Sequence, residues 1–232
     1  MRIIINHLTR MQQGFFCVAG IDEATGRHVR PVLSDGQLST ELLAVHGGQF
    51  DMALRLDIGD AKAVGRPPHM EDHTFEPHLV AQVGRVSGGH FWQLLSASAQ
   101  LALDEVFGHT VMRSRNGTCS TASGTGDASL GCIRPDGVPR LRVETKPNRR
   151  PQIRILFRDR WARFDASLTD IRLFQDDHVT PDIDKVNRLP EIMEQSAELI
   201  LSVGLTREYN GAHWVQVNNI HIREYPLWRL GR

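Results

Sequence analysis

The stretch that most limits the fold is residues 15–32, FFCVAGIDEATGRHVRPV. Residues 15–22 are an apolar, β-favouring run, Ala24-Thr25-Gly26 supplies a reversal, and residues 27–33 return with Pro31 near their end. Two such runs joined by a Gly-containing connection predict a β-hairpin. The return strand carries Arg27, His28 and Arg30 beside Val29 and Val32. That much positive charge on one strand either protects a sheet edge or contacts a polyanion. Cys17 shares a face with Phe15 and Ala19, so it reads as a small core residue rather than a nucleophile.

Further strand patterns follow. Over 50–64, Met52, Leu54, Leu56 and Ile58 alternate with Asp51, Arg55 and Asp57, which predicts one buried and one wet face. Gly59 marks a bulge or bend there. Residues 78–87 predict a strand with Leu79, Ala81 and Val83 on one face. Over 152–166, Ile153, Ile155 and Phe157 face inward and Gln152, Arg154 and Arg158 outward; on the return strand Ala162, Phe164 and Ala166 face inward and Trp161 and Arg163 outward. A strand-like run at 198–209 meets Asn210-Gly211, a strong turn signal. The last strand, 213–222, changes parity at Asn218-Asn219, the mark of a bulge.

Helical spacing of Trp92, Leu95, Ala99, Ala102 and Val106 predicts a helix over 91–107 with Gly108 as its C-terminal cap. A second helix is expected at 190–197, with Pro190 in its first turn. Residues 113–131, rich in Ser, Thr and Gly, read as a flexible loop. Their glycines match neither phosphate-loop nor dinucleotide spacing.

Net charge decides little, because Lys+Arg (27) and Asp+Glu (27) cancel. The distribution is informative instead. Lys146, Arg149, Arg150, Arg154, Arg158, Arg160 and Arg163 are opposed by Asp159 alone, and 176–198 is acidic. Arginines along a sheet face beside an exposed Trp161 are the equipment of single-stranded nucleic-acid binders, the arginines tracking phosphates and the ring stacking a base. The alternative is a solvated face with Trp161 covered by a neighbouring element. The three cysteines, few and odd in number, point to a reducing compartment, hence to the cytoplasm. No stretch is long enough for a membrane span.

His69, Glu71, Asp72, His73 and His78 crowd together in 65–78. His69 and His73 would share one face of a helix and could hold a metal. Pro67-Pro68 and Pro77 argue against that helix, so an exposed polar loop is expected, with a metal at His69 and His73 as the alternative. His7, Glu71, Asp72 and these histidines are the acid–base groups available to an enzyme, but no nucleophile–base spacing connects them. No catalytic residue and no cofactor are assigned.

The layout is strands, helix, loop, strands, helix, strands. Each β block holds about five strands and one helix, the size of a small OB-type barrel, and the βα alternation of a parallel sheet is missing. The expected fold is therefore mainly β with a few helices: two tandem OB-like barrels connected by a helix, with a single large PUA-like barrel as the competitor. The expected divisions are 1–108, a loop at 109–131, and 132–232.

Cys17, Ala19 and Gly20, followed by Arg30-Pro31, and the run LILSVGLTRE near the C-terminus resemble the dual OB-fold domain family of prokaryotic proteins. The resemblance implies a nucleic-acid or nucleotide ligand, often near defence or mobile-element genes, and brings no catalytic residues. The expected function is nucleic-acid binding through Arg27, His28 and Arg30 on one barrel and the 146–163 set on the other. One alternative is a scaffold subunit that docks on a protein partner through the acidic helix and the tail 228–232. The other is a nucleic-acid- or nucleotide-processing enzyme using 69–78.

Overall fold

The computed structural model describes residues 1–11, 14–115, 117–145, 147 and 150–228. The chain opens with β1 (Arg2–Arg10), β2 (Phe15–Asp22), β3 (His28–Val32), β4 (Leu38–Ser39), β5 (Leu54–Asp57), β6 (Lys62–Ala63), β7 (Asp72–Thr74) and β8 (Ala81–Arg85). Helix α1 (Gly88–Ser98) follows, then β9 (Ala99–Gln100), α2 (Leu103–Phe107), β10 (Met112–Arg113), β11 (Cys119–Ala122) and β12 (Leu130–Ile133). The remainder is β13 (Arg140–Glu144), β14 (Gln152–Arg158), β15 (Arg163–Leu168), α3 (Ile183–Glu194), β16 (Leu199–Leu205) and β17 (Ala212–Ile222). The molecule is mainly β with two sheets, as the patterning predicts.

The first sheet runs β6-β7-β3-β2-β1-β5-β8, with β4 on β2; the second runs β13-β14-β15-β17-β16-β12-β9, with β11 on β17 and β10 on β11. The opening hairpin forms as expected. Asp22 closes its turn by accepting from the Thr25 amide and hydroxyl. Gly20 packs so tightly on β1 that a Cβ there would stand 2.7 Å from the Ile4 carbonyl oxygen. At the other end Asn210 (φ 54°) and Gly211 (φ 74°) make the two-residue reversal into β17.

Each sheet has its own core. Ile3, Ile5, Val18, Phe50 and Leu56 anchor the first, joined by Phe91 and Leu95 of α1. Ile155, Phe164, Leu201, Val217 and Ile220 anchor the second, joined by Leu103 and Phe107 of α2.

Four local expectations change. The helix expected over 91–107 is two helices, because residues 99–100 leave helical geometry to pair in parallel with Cys132 and Ile133. Residues 113–131 are not a structureless loop: β11 pairs with β17, and β12 pairs with β16. The second helix starts at Ile183, capped by the Asp182 side chain on the Lys185 amide, and carries Pro190 inside it. Its buried stripe of Val186, Leu189 and Met193 outweighs the one backbone bond that a proline cannot donate. Finally, β8 is exposed along its length, and Val80 and Val86 at its ends are the buried residues instead of Leu79 and Val83.

The two sheets meet along β1, where two bulges face each other. Register shifts between Ile5 and His7 on β1, leaving Asn6 as the extra residue. It shifts between Ser202 and Val203 opposite Asn219 and Val217, leaving Asn218 as the extra residue, where the parity change predicts it. A bulge re-aims side chains, and here it aims them across the seam. Asn218 meets His7 Nδ1 at 3.0 Å, and the Ser202 hydroxyl donates to the Asn6 carbonyl at 3.0 Å.

Candidate nucleic-acid interface

The outer face of β13, β14 and β15 carries the basic patch. Alternation along β14 buries Ile153, Ile155 and Phe157 and turns Gln152, Arg154, Leu156 and Arg158 outward. Cross-strand register sets Arg142 beside Arg154 and Arg158 beside Arg163. Arg140, Arg150, Arg158, Arg160 and Arg163 are exposed.

Not every arginine is free to bind. Arg154 gives Nε and Nη2 to Asp165 (3.1 Å to Oδ1, 2.8 Å to the carbonyl oxygen) and Nη1 to Ser167 (2.9 Å). Arg142 shares the same carboxylate at 2.6 Å. Arg154 thus holds the sheet face in shape, while Arg158, paired at the surface with the exposed Asp136 at 3.0 Å, is half exposed. Lys146 and Arg149 lie outside the described residues.

Trp161 stands at the tip of the β14–β15 turn and is 69% exposed, with the Arg160 guanidinium 5.5 Å from its ring centre. Asp159 keeps it there. This buried carboxylate accepts from the Trp161 amide (2.8 Å) and the Ala162 amide (2.9 Å), and its other oxygen accepts from the Leu103 amide at the start of α2 (3.0 Å). The one acid inside the basic run is therefore a turn organiser, not a screen for the arginines.

The candidates on the first sheet divide. Arg27 is exposed, but Arg30 is only 5% exposed and its Nε donates to Asp72 at 2.5 Å. His28 turns into the seam, where its Nε2 lies 3.0 Å from Asn6 Nδ2. Burial holds the His28 imidazole down at about 4, so it carries no positive charge at neutral pH. Arg30 and His28 therefore do not form an exposed basic strand with Arg27: tertiary partners on β7 and β1 take them inward.

The 69–78 segment is an exposed loop only in part: His78 and Glu76 stand in solvent, but His69, Glu71 and Asp72 are buried. Glu71 is buried and accepts from the Ser129 amide (2.7 Å), the Ser129 hydroxyl (2.9 Å) and the Leu130 amide (2.9 Å). Asp72 is clasped between Arg30 and Arg207, the latter at 2.7 Å. His69 is buried against His213 with ring centres 5.1 Å apart, and burial pushes it down to about 3. His73 instead directs Nδ1 to the Glu71 carbonyl oxygen at 2.8 Å. Among the described residues, the group of three donors with metal-ligand spacing is His7, His28 and Cys132, and neither His69 nor His73 belongs to it.

Trp228 is not a free docking residue. It is 7% exposed, its Nε1 donates to the Ile220 carbonyl at 2.8 Å, and the Arg172 guanidinium lies 3.8 Å over its ring. Residues 229–232 lie outside the described residues. No described helix is long and apolar enough to cross a membrane.

A family model described as a dual OB-containing domain matches residues 1–220. A search of curated proteins finds no match to the chain.

Proposed function

The chain belongs to the dual OB-containing domain family, and on that premise we propose that it binds single-stranded nucleic acid across the outer face of β13–β15. The observation that carries this reading is the pairing of an exposed arginine row with a Trp161 held in solvent at its end. Arg158, Arg160 and Arg163 supply phosphate contacts, Arg150 extends the track, and Lys146 and Arg149 continue it in sequence. Trp161 offers a sequence-tolerant stacking platform. Arg154 shapes the face, and Arg27 is a peripheral contact.

Free Cys17, Cys119 and Cys132 support a reducing, cytoplasmic setting, and the family resemblance supports a prokaryotic defence or mobile-element context. The test is fluorescence anisotropy with labelled single-stranded DNA, single-stranded RNA and duplex DNA at low and moderate salt. Binding of a single strand that weakens in Arg158→Gln/Arg163→Gln supports the reading. Absence of binding to all three at low salt ends it.

A further inference from the structure

We propose that His7, His28 and Cys132 form a zinc site, completed by the side-chain oxygen of Asn6, that clamps the two sheets together. The three residues come from β1, β3 and β12, so the site spans both sheets. One donor atom from each lies within 4.8 Å of the others. Thiolate and imidazole together are the donor set that zinc favours.

Asn6 marks where the ion sits. Its Nδ2 lies 3.0 Å from His28 Nε2 and 3.5 Å from Cys132 Sγ, while its buried Oδ1 has no hydrogen-bond partner. Turning the amide by about 180° brings Oδ1 to the position of Nδ2. With zinc bonds of about 2.0–2.3 Å, neighbouring donors around a tetrahedron stand about 3.3–3.6 Å apart. The two Asn6 separations are thus close to coordination edges. His7 completes the set by moving inward by at most about 1.5 Å.

The outer contacts fit the same arrangement. His7 Nε2 is buried without a partner, and so is Asn218 Oδ1. Asn218 Nδ2 lies 3.0 Å from His7 Nδ1. Turning the Asn218 amide lets Oδ1 accept the Nδ1–H, which fixes the tautomer and leaves the Nε2 lone pair for the metal. Such an outer-shell acceptor is the usual support of a metal-bound histidine. Two amide turns and one ion therefore give partners to Asn6 Oδ1, His7 Nε2 and Asn218 Oδ1, while each turned amide carries its NH2 to the position its oxygen held. Buried polar atoms left without partners call for such an explanation, because each costs about 1–3 kcal/mol.

Binding is written Zn²⁺ + Cys132–SH → Zn²⁺–S⁻–Cys132 + H⁺, the proton leaving to solvent. Both imidazoles enter neutral. No redox change occurs, and the site is independent of nucleic-acid binding.

The test is the zinc content of the full chain purified without chelator and dialysed after zinc reconstitution, with cobalt(II) as the spectroscopic probe. The expected result is one zinc per chain, and a thiolate-to-cobalt charge-transfer band with tetrahedral visible bands in the cobalt form. Cys132→Ser should lose the charge-transfer band and at least ten-fold in zinc affinity, while Cys17→Ser keeps both. Substoichiometric zinc after reconstitution overturns the proposal, as does a cobalt form without the thiolate band. If Cys132→Ser fails to fold, the wild-type cobalt spectrum decides alone.

Discussion

The Asn219 side chain grips the Leu8 backbone at both ends: Oδ1 accepts from the Leu8 amide at 2.8 Å, and Nδ2 donates to the Leu8 carbonyl at 3.1 Å. A buried amide here does what a neighbouring strand would do, and it joins the two sheets through residues 211 apart in sequence. The same seam holds the Arg10 amide on the Thr169 carbonyl, at 2.9 Å. Asn219→Ala leaves two buried backbone groups unpaired. The expected loss is about 2–4 kcal/mol, on the ordinary cost of each orphaned group. Urea unfolding checks it, and the two sheets should still unfold in one transition, because both cores share this seam.

Arg30 and Arg207 flank the same carboxylate but differ in burial. Arg30→Gln leaves Asp72 with its buried partner gone and should cost about 3–5 kcal/mol. Arg207 is 61% exposed on its side chain, so Arg207→Gln should cost no more than about 1 kcal/mol. Chemical denaturation of both variants separates the two. Equal losses would show that Asp72 does not distinguish its partners.

Acid should destabilise the protein before its carboxylates titrate. Burial holds His69 at about 3 and lowers His221 as well, both from 6.5. The unfolded chain takes up these protons near pH 6.5 and the folded chain does not. Stability is therefore full above pH 6.5 and falls as pH drops from there towards 4, by about 1.4 kcal/mol per pH unit for each histidine involved. Urea midpoints at pH 7.5, 6, 5 and 4.5 follow this, and His69→Gln should flatten the slope.

Trp228 and Trp161 should behave oppositely. Trp228→Ala removes a buried ring and its bond to Ile220, and is expected to cost about 3–5 kcal/mol. Trp161→Ala touches little and should change stability by less than about 0.5 kcal/mol. Thermal denaturation distinguishes them.

Features that depend on neighbours in sequence were legible before the fold was known. Alternation placed the inward and outward residues of β14, Asn210-Gly211 marked the last reversal, and the parity change at Asn218-Asn219 located a bulge. What could not be read depends on partners far away. Ala99-Gln100 continue a helical pattern until Cys132 and Ile133 offer a strand to pair with. The Ser, Thr and Gly of 113–131 carry no strand period, yet β16 and β17 draw β12 and β11 into their sheet. Glu71 looks like a surface acid until Ser129 and Leu130, 58 and 59 residues on, present three donors to it. His7, His28 and Cys132 have no sequence spacing at all.

The central claim is that the arginine face of β13–β15 and Trp161 bind a single strand. Its most direct test is the salt dependence of affinity for a single-stranded oligonucleotide, measured for the wild type, Arg158→Gln/Arg160→Gln/Arg163→Gln and Trp161→Ala. Each lost phosphate contact should reduce the slope of log K against log salt by about 0.7, so the triple variant should lose about 2 from it. Trp161→Ala should keep the wild-type slope while losing about 1–3 kcal/mol of affinity at every salt concentration. Slopes and affinities unchanged in both variants would contradict the account.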